Sequence, residues 1–271
     1  MKPRPFDYAR PDTVEEAVAL LAEHGDDARV LAGGQSLIAM LNLRLIDPAV
    51  LIDISQIAAL DAIRDLDDQI EIGATVTQNK LMAWPQLSQK LPLLAAALPF
   101  VGHFQTRNRG TVCGSVAHAD PSSEIPLALA VCAGSIVLRS KRGERVLAAE
   151  AFQKDMLTTA RAPDELITAV RFPVIEGKGV AFDEVARRHG DFAIVAIAAI
   201  ADARGSVRLG VGGMAGRPMV RSLNGDARSA IAAWADELEG FDDLHASAAL
   251  RRDLLKNLGP RVVAEAIRCA P

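Results

Sequence analysis

Aromatic side chains make up only 4% of this 271-residue chain. Few rings are therefore offered for stacking on nucleic-acid bases. Basic residues are not in excess either, and a net charge of −4 argues against binding a phosphate backbone. Cysteine is limited to Cys113, Cys132 and Cys269, with no C-x-x-C pair. That spacing argues against a structural zinc site or an iron–sulfur cluster built by this chain alone. So sparse and odd a set fits a reducing compartment rather than a disulfide framework. The longest apolar stretch, Phe192 to Ala201, is too short to span a bilayer. Met1-Lys2-Pro3-Arg4-Pro5-Phe6 lacks the apolar core of a secretory signal. The expectation is a cytoplasmic protein with no nucleic-acid partner and no membrane insertion.

Missing too are G-x-G-x-x-G and G-x-x-x-x-G-K-[ST], so neither a Rossmann nor a P-loop nucleotide site is expected. There is no nucleophile elbow, no acid–base pair at informative spacing and no metal-ligating cluster. No catalytic residue and no metal ligand is assigned.

What remains is ample material for a core, since half of the residues are hydrophobic. Thr13 and Glu16 have capping-box spacing ahead of Val14, Ala17, Val18 and Leu21, which share a helical face, and Gly25 ends that helix. Strands are expected at Arg29 to Ala32 and Val50 to Ile54, making the first fifty-odd residues a small α/β unit with parallel strands. Ser36 is placed to cap a short helix between them. Ala62 to Leu66 with Gln69 to Gly73 reads as a hairpin, as does Ser135 to Arg139 with Arg145 to Ala148. Leu91 to Leu98 and Glu124 to Val131 read as helices, Pro99 breaking the first. Thr106 to Gly114 reads as an irregular loop, and Leu166 to Phe172 as a strand ended by Pro173. Beyond about residue 176, three antiparallel strands (Val180 to Val185, Ala193 to Ala201, Val207 to Val211) precede a tail of three helices, Asp226 to Leu238, Leu244 to Lys256 and Pro260 to Arg268. The boundaries set a first domain at 1–175, with parts 1–56 and 57–175, and a C-terminal α+β domain at 176–271.

Two glycine-centred turns carry the functional signal. In Leu31-Ala32-Gly33-Gly34-Gln35-Ser36-Leu37, glycines after a strand permit positive φ and close approach of a ligand. Successive N–H groups can there converge on an anion, and the Ser36 hydroxyl adds a donor. By itself this is as readily a tight strand-to-helix turn with no ligand. The second stretch, Gln105 through Thr111-Val112-Cys113-Gly114-Ser115 to Ala117, His118 and Asp120-Pro121, gathers small residues and hydroxyls able to wrap an extended polar ligand; otherwise it is a solvated loop. Arg107 and Arg109 fit either phosphate donors or loop braces. Arg187-Arg188-His189, ahead of Asp191-Phe192, fit a solvated turn or a gate.

Ala32-Gly33-Gly34-Gln35-Ser36-Leu37, Leu51-Ile52-Asp53-Ile54, Ile72-Gly73-Ala74, Arg107 to Thr111 with Ala119-Asp120-Pro121, and Arg188 to Ala193 occur in the order found in the FAD-binding medium subunits of the molybdenum hydroxylases. The chain resembles that family, which includes carbon monoxide and nicotine dehydrogenases and the flavin domain of xanthine dehydrogenase. The resemblance implies an α+β fold of the vanillyl-alcohol-oxidase (PCMH) type. It implies FAD held non-covalently, its diphosphate between Leu31–Leu37 and Thr111–Ser115. It places Glu124 at the ribose or adenine, Ile167 at the adenine end, and Val101 and Phe192 near the isoalloxazine. Ala117 and Asp120 complete the set; His118 is a further donor or, less in keeping with the family, a covalent attachment point. Cys113 stands where the family usually has glycine, so strain of about 1–2 kcal/mol is expected if that backbone has positive φ. Ala39 replaces a common proline.

The same resemblance implies a large molybdopterin-binding subunit and a small subunit with two [2Fe–2S] clusters as partners, in a dimer of heterotrimers. Electrons from those clusters would pass through FAD to NAD, oxygen, a quinone or a cytochrome. The alternatives are a stand-alone flavin oxidoreductase of the same fold, which usually has a larger substrate domain, and a nucleotide-binding scaffold without redox activity.

Overall fold

A computed structural model describes residues 2–271. The chain opens β1 (Asp7–Ala9), α1 (Val14–His24), β2 (Ala28–Leu31), α2 (Leu37–Asn42), β3 (Val50–Asp53). The three strands form a parallel sheet in the order β1-β3-β2. As the central strand, β3 buries Val50, Leu51 and Ile52, which explains its unbroken apolar run. Thr13 Oγ1 accepts from the N–H of Glu16 at 3.2 Å. Glu16 returns its carboxylate to the N–H of Asp12, one residue before the position a capping box predicts. Gly25, at φ 51°, donates to the Leu21 carbonyl and ends α1. The expected Ser36 cap is corrected: Ser36 precedes α2, but it has helical dihedrals and its hydroxyl makes no capping bond.

A five-stranded sheet follows. β4 (Ile63–Asp65) and β5 (Gln69–Gly73) form the expected hairpin, with Asp67 at φ 67° in the turn. Next come α3 (Gln78–Met82), α4 (Leu87–Lys90), α5 (Pro92–Ala97), α6 (Phe104–Arg109), α7 (Val112–His118) and α8 (Glu124–Val131). Here the expectation of an irregular loop over Thr106 to Gly114 fails. The segment is two short helices broken at Gly110-Thr111, and Thr111 Oγ1 caps the second by accepting from Gly114 N–H at 2.9 Å. The apolar period that normally betrays a helix is too short to register in pieces of six and seven residues. β6 (Ser135–Ser140) and β7 (Gly143–Ala148) form the second hairpin; α9 (Ala149–Phe152) and a small ribbon, β8 (Gln153–Asp155) with β9 (Thr158–Thr159), lead to β10 (Leu166–Pro173). β10 runs between β5 and β6, so the sheet order is β4-β5-β10-β6-β7.

The last sheet joins β11 (Gly179–Val185), β12 (Val195–Ala201), β13 (Val207–Gly212) and β14 (Met219–Leu223), all antiparallel. It has four strands, not the three expected; β14 is half-exposed at the edge and carries Arg221 and Ser222, which hid it. Two helices close the chain, α10 (Ala227–Glu237) and α11 (Ala248–Arg268). The three-helix tail is corrected: Gly259-Pro260 lies inside one helix. Proline forfeits one backbone bond there, while Leu255, Val262, Val263 and Ala266 stay buried on either side of it.

Every residue of β12 is buried. Its alternate residues serve two cores. Ala196, Ala198 and Ile200 join the core beneath α8, whereas Val195, Ile197, Ala199 and Ala201 pack beneath α10 and α11. The period-two alternation of a strand thus ties the C-terminal part to the rest.

Candidate functional site

The turn from β2 into α2, the start of α7, the start of β10 and the segment around Phe192 enclose a cavity of about 620 Å³. That size lies within the range of small-molecule and cofactor sites. In the first glycine turn, Gly34 is at φ 74°, a left-handed conformation that favours glycine. Ile38 N–H returns to the Gly34 carbonyl, so the chain coils back on itself. Among the described residues, the N–H groups of Gly34, Gln35, Ser36 and Leu37 find no intramolecular acceptor. Four donors in succession at a cavity wall form a nest suited to an anion.

Gly33 does a different job. A Cβ there would lie 2.8 Å from the Arg109 carbonyl carbon and 2.9 Å from Gly110 Cα, and closer still to the Arg109 oxygen. The first turn therefore packs directly on the chain entering the second. Gly110 O in turn accepts from Gln78 N–H at 2.8 Å, and Val112 N–H donates to Val76 O, which holds this chain against the segment leading from β5 into α3.

The second turn is the first turn of helix α7. Cys113 is not among the non-glycine residues with positive φ, so the strain expected there is absent. Its thiol is buried, donates to Ile72 O at 3.4 Å, and is pushed up in pKa by that burial. Such a thiol is an inert packing group.

Most residues singled out from the sequence line this one cavity: Ala32, Gly33, Gly34, Gln35, Ser36, Leu37, Val101, Thr111, Cys113, Gly114, Ser115, Ala117, Glu124, Ile167 and Phe192. Three do not. Leu31 ends β2, its carbonyl accepting from Ile54 N–H. Val112 is fully buried. Asp120 turns its carboxylate to the N–H of Ser122 at 2.8 Å. Arg107 proves a brace, donating to Val101 O and Gly102 O at 2.9 and 2.8 Å. His118 lines the cavity with its ring 6.5 Å from that of Phe192. Burial lowers the His118 pKa against the opposing charge of Asp120. Arg188 pairs with Asp191 at 2.9 Å, and Gly190 at φ 84° lets that loop rest on His103.

Sequence reasoning missed Arg29, Met40, Gln78, Thr159 and Arg161, which also line the cavity. They come from scattered strand, helix and loop positions with no motif to mark them. Glu124 is buried, and its pKa rises to about 7, through burial above all and then the charge of Asp120. Glu184 on β11 rises to about 8 through burial and the nearby charges of Glu124 and Asp183.

The cavity suits FAD: a donor nest for a diphosphate, apolar lining at Val101, Ala117 and Ile167, and polar side chains among the rest of its lining. Among the described residues no cluster of three or more His, Cys, Asp or Glu side chains suits a metal ion.

Comparison with known proteins agrees with this geometry. Residues 4–175 match the family described as FAD binding domain in molybdopterin dehydrogenase. The whole chain is 36% identical to the alpha subunit of the 6-hydroxypseudooxynicotine dehydrogenase complex of Paenarthrobacter nicotinovorans, covering 97% of it. Over 71% of the chain it is 43% identical to the beta subunit of caffeine dehydrogenase from Pseudomonas sp. strain CBB1, covering 66% of that protein. Its fold superposes on a chain of carbon monoxide dehydrogenase from Hydrogenophaga pseudoflava with a TM-score of 0.95 at 30% identity, covering 100% of both. The chain belongs to the FAD-binding medium subunits of the molybdenum hydroxylases. It is thus an oxidoreductase subunit.

Proposed function

We propose that this chain holds one non-covalent FAD in the cavity and acts as the electron-transfer subunit of a molybdenum-dependent hydroxylase. The observation that carries the reading is the run of unpartnered N–H groups from Gly34 to Leu37 on the wall of a cofactor-sized cavity. These donors, with the Ser36 hydroxyl and the start of α7, would hold the diphosphate; a hydrogen bond to a charged oxygen contributes about 1.5–3 kcal/mol. Glu124 would meet the ribose, Ile167 the adenine end, and Val101 and Phe192 the isoalloxazine. Bound FAD supplies the redox chemistry, taking electrons singly and releasing them in pairs; the protein supplies position and electrostatics.

The partners in this reading are a large molybdopterin-binding subunit and a small subunit with two [2Fe–2S] clusters, in a dimer of heterotrimers in the cytoplasm. The small subunit delivers electrons, and NAD, oxygen, a quinone or a cytochrome receives them. The fold is read as the vanillyl-alcohol-oxidase type, with parts at 1–56 and 57–175 and a further domain from 176. A family match over residues 4–175 is in keeping with a boundary at 175.

Purification from the native host tests the assignment. Two further polypeptides, molybdenum and iron are expected to accompany the chain. A chain that runs alone and oxidises a small substrate at a normal rate would overturn it.

A further inference from the structure

Arg251, in the first turn of α11, is buried, and all three nitrogens of its guanidinium are engaged. Nε donates to Phe241 O at 3.1 Å and Nη2 to Asp243 Oδ2 at 2.6 Å. Nη1 donates to two strand-end carbonyls, Ile194 O at 2.5 Å and Gly213 O at 2.9 Å. Its plane lies over the Phe241 ring, 4.1 Å from the centroid. Ile194 immediately precedes β12 and Gly213 immediately follows β13. Gly213 is at φ 77°, and a Cβ on it would collide with the Ile194 oxygen, so the two strand ends are in direct contact.

Both carbonyls belong to chain that frames the cavity. Ile194 N–H donates to Val185 O at 2.7 Å and closes the base of the loop 186–193 between β11 and β12. Gly213 N–H donates to Pro121 O at 2.9 Å, in the segment that follows His118. One guanidinium thus fixes the foot of the loop against the chain beside His118. Phe192 is two residues from that foot, no more than about 7 Å of backbone. The loop's own contacts are exposed: Arg188 pairs with Asp191 inside it, and Gly190 rests on His103. Exposed pairs of this kind hold a chain weakly. The opposite end of the loop meets the same C-terminal segment, since Arg187 Nη1 lies 3.4 Å from His245 Nδ1. Residues 241–245 therefore reach both ends of the loop, one through His245 and the other through Arg251.

We propose that Arg251 is a positioning residue for the flavin site. Seated by Phe241 and Asp243, it sets through Ile194 where the half-exposed Phe192 stands on the cavity wall, and thereby how closely an external electron acceptor approaches the isoalloxazine. The proposal rests on the reading above that puts Phe192 beside that ring. A fork that grips two carbonyls at once fixes direction as well as distance, which a single ammonium does not.

Hydrogen exchange of the flavin-free full-length chain reads the clamp, and iodide quenching of the FAD-loaded chain reads its consequence. Arg251→Lys keeps a charge for Asp243 and loses the fork. Exchange over residues 186–194 should quicken about tenfold, the equivalent of one lost bond to a charged donor, while residues 135–148 keep the wild-type rate. FAD affinity should stay within about threefold, as for a change outside the site. Iodide quenching should shift in the same direction as in Phe192→Ala, and adding Phe192→Ala to Arg251→Lys should shift it no further. Asp243→Asn keeps the Oδ1 acceptor for the N–H groups of His245 and Ala246 and removes the charge that seats Arg251. It should show the same changes in smaller degree, and it covers the case in which Arg251→Lys fails to fold. Unchanged exchange over 186–194 in the folded variants, or quenching shifts that add in full, would overturn the proposal and leave the FAD reading standing. Exchange that quickens equally over 135–148 would mark a merely structural role and overturn it too. Wild-type chain that takes up no FAD would overturn the FAD reading and, with it, the role of Arg251 at the flavin.

Discussion

Gly33→Ala separates two reasons for a glycine at that position. A glycine that only admits the diphosphate could be replaced without harm to the flavin-free fold. The structure predicts otherwise, because the added methyl would lie 2.8 Å from the Arg109 carbonyl carbon. Carbon atoms pack at about 3.5–4.0 Å, so the two turns must part by roughly 0.7 Å or more. Forcing a methyl into such a contact costs about 1–3 kcal/mol. Shifting the donor nest by the same amount stretches a bond of about 2.9 Å past the hydrogen-bonding range. Losing one bond to a charged oxygen costs a further 1.5–3 kcal/mol, about, or roughly ten- to a hundredfold in FAD affinity. Gly143→Ala is the control: it strains a positive φ of 121° in open space at a residue that does not line the cavity, at about 1–3 kcal/mol. Urea unfolding of the flavin-free chain and flavin-fluorescence titration give the two readouts. Gly33→Ala should lose both stability and FAD affinity, Gly143→Ala stability alone. Gly33→Ala protein as stable as wild type without flavin would refute the turn-on-turn packing.

Other consequences are open to measurement. Burial raises the Glu124 pKa to about 7 in the folded chain, above its unfolded value. Its contribution is therefore fully present below the unfolded value and is lost as pH rises through about 7, a change on the order of 3 kcal/mol. The flavin-free chain should weaken between pH 5 and 8 in urea titrations and Glu124→Gln should flatten that slope; an unchanged slope contradicts the assignment. Phe192 is half-exposed beside His118, so Phe192→Ala should leave FAD affinity within about threefold yet change the flavin absorption envelope and its quenching by iodide. An unaltered spectrum would place the ring elsewhere. Arg251 is 1% exposed and holds Ile194 O at 2.5 Å, Gly213 O at 2.9 Å and Asp243 Oδ2 at 2.6 Å. Arg251→Met should cost about 3–5 kcal/mol in denaturant unfolding, and a loss below 1 kcal/mol, about, would show the brace to be dispensable.

The sequence displayed the fold where local rules and burial agree. The Thr13 cap, the Gly25 stop, both hairpins and the Glu124–Val131 helix were legible because each has its own chemical signature. The Thr106–Gly114 stretch was not, since one capping threonine and two helices of six or seven residues mimic a polar loop. Pro260 misled in the opposite sense: proline usually ends a helix, but burial of the residues around it holds α11 together. Gly34 was read correctly as a turn glycine. Gly33 was assigned to the ligand, although its nearest neighbour is the backbone at Arg109, a contact visible only once some seventy-five residues of chain have folded back. Arg29 and Arg161 were invisible for the same reason: no motif links a strand residue to a loop more than a hundred positions later.

The central claim is that this chain binds FAD in the cavity between its two glycine turns. Its most direct test is the absorption spectrum of the purified full-length chain with its flavin content. One FAD per chain, bleached by dithionite and released into the supernatant by acid precipitation, is the expected result. Colourless protein that takes up no added FAD would contradict it.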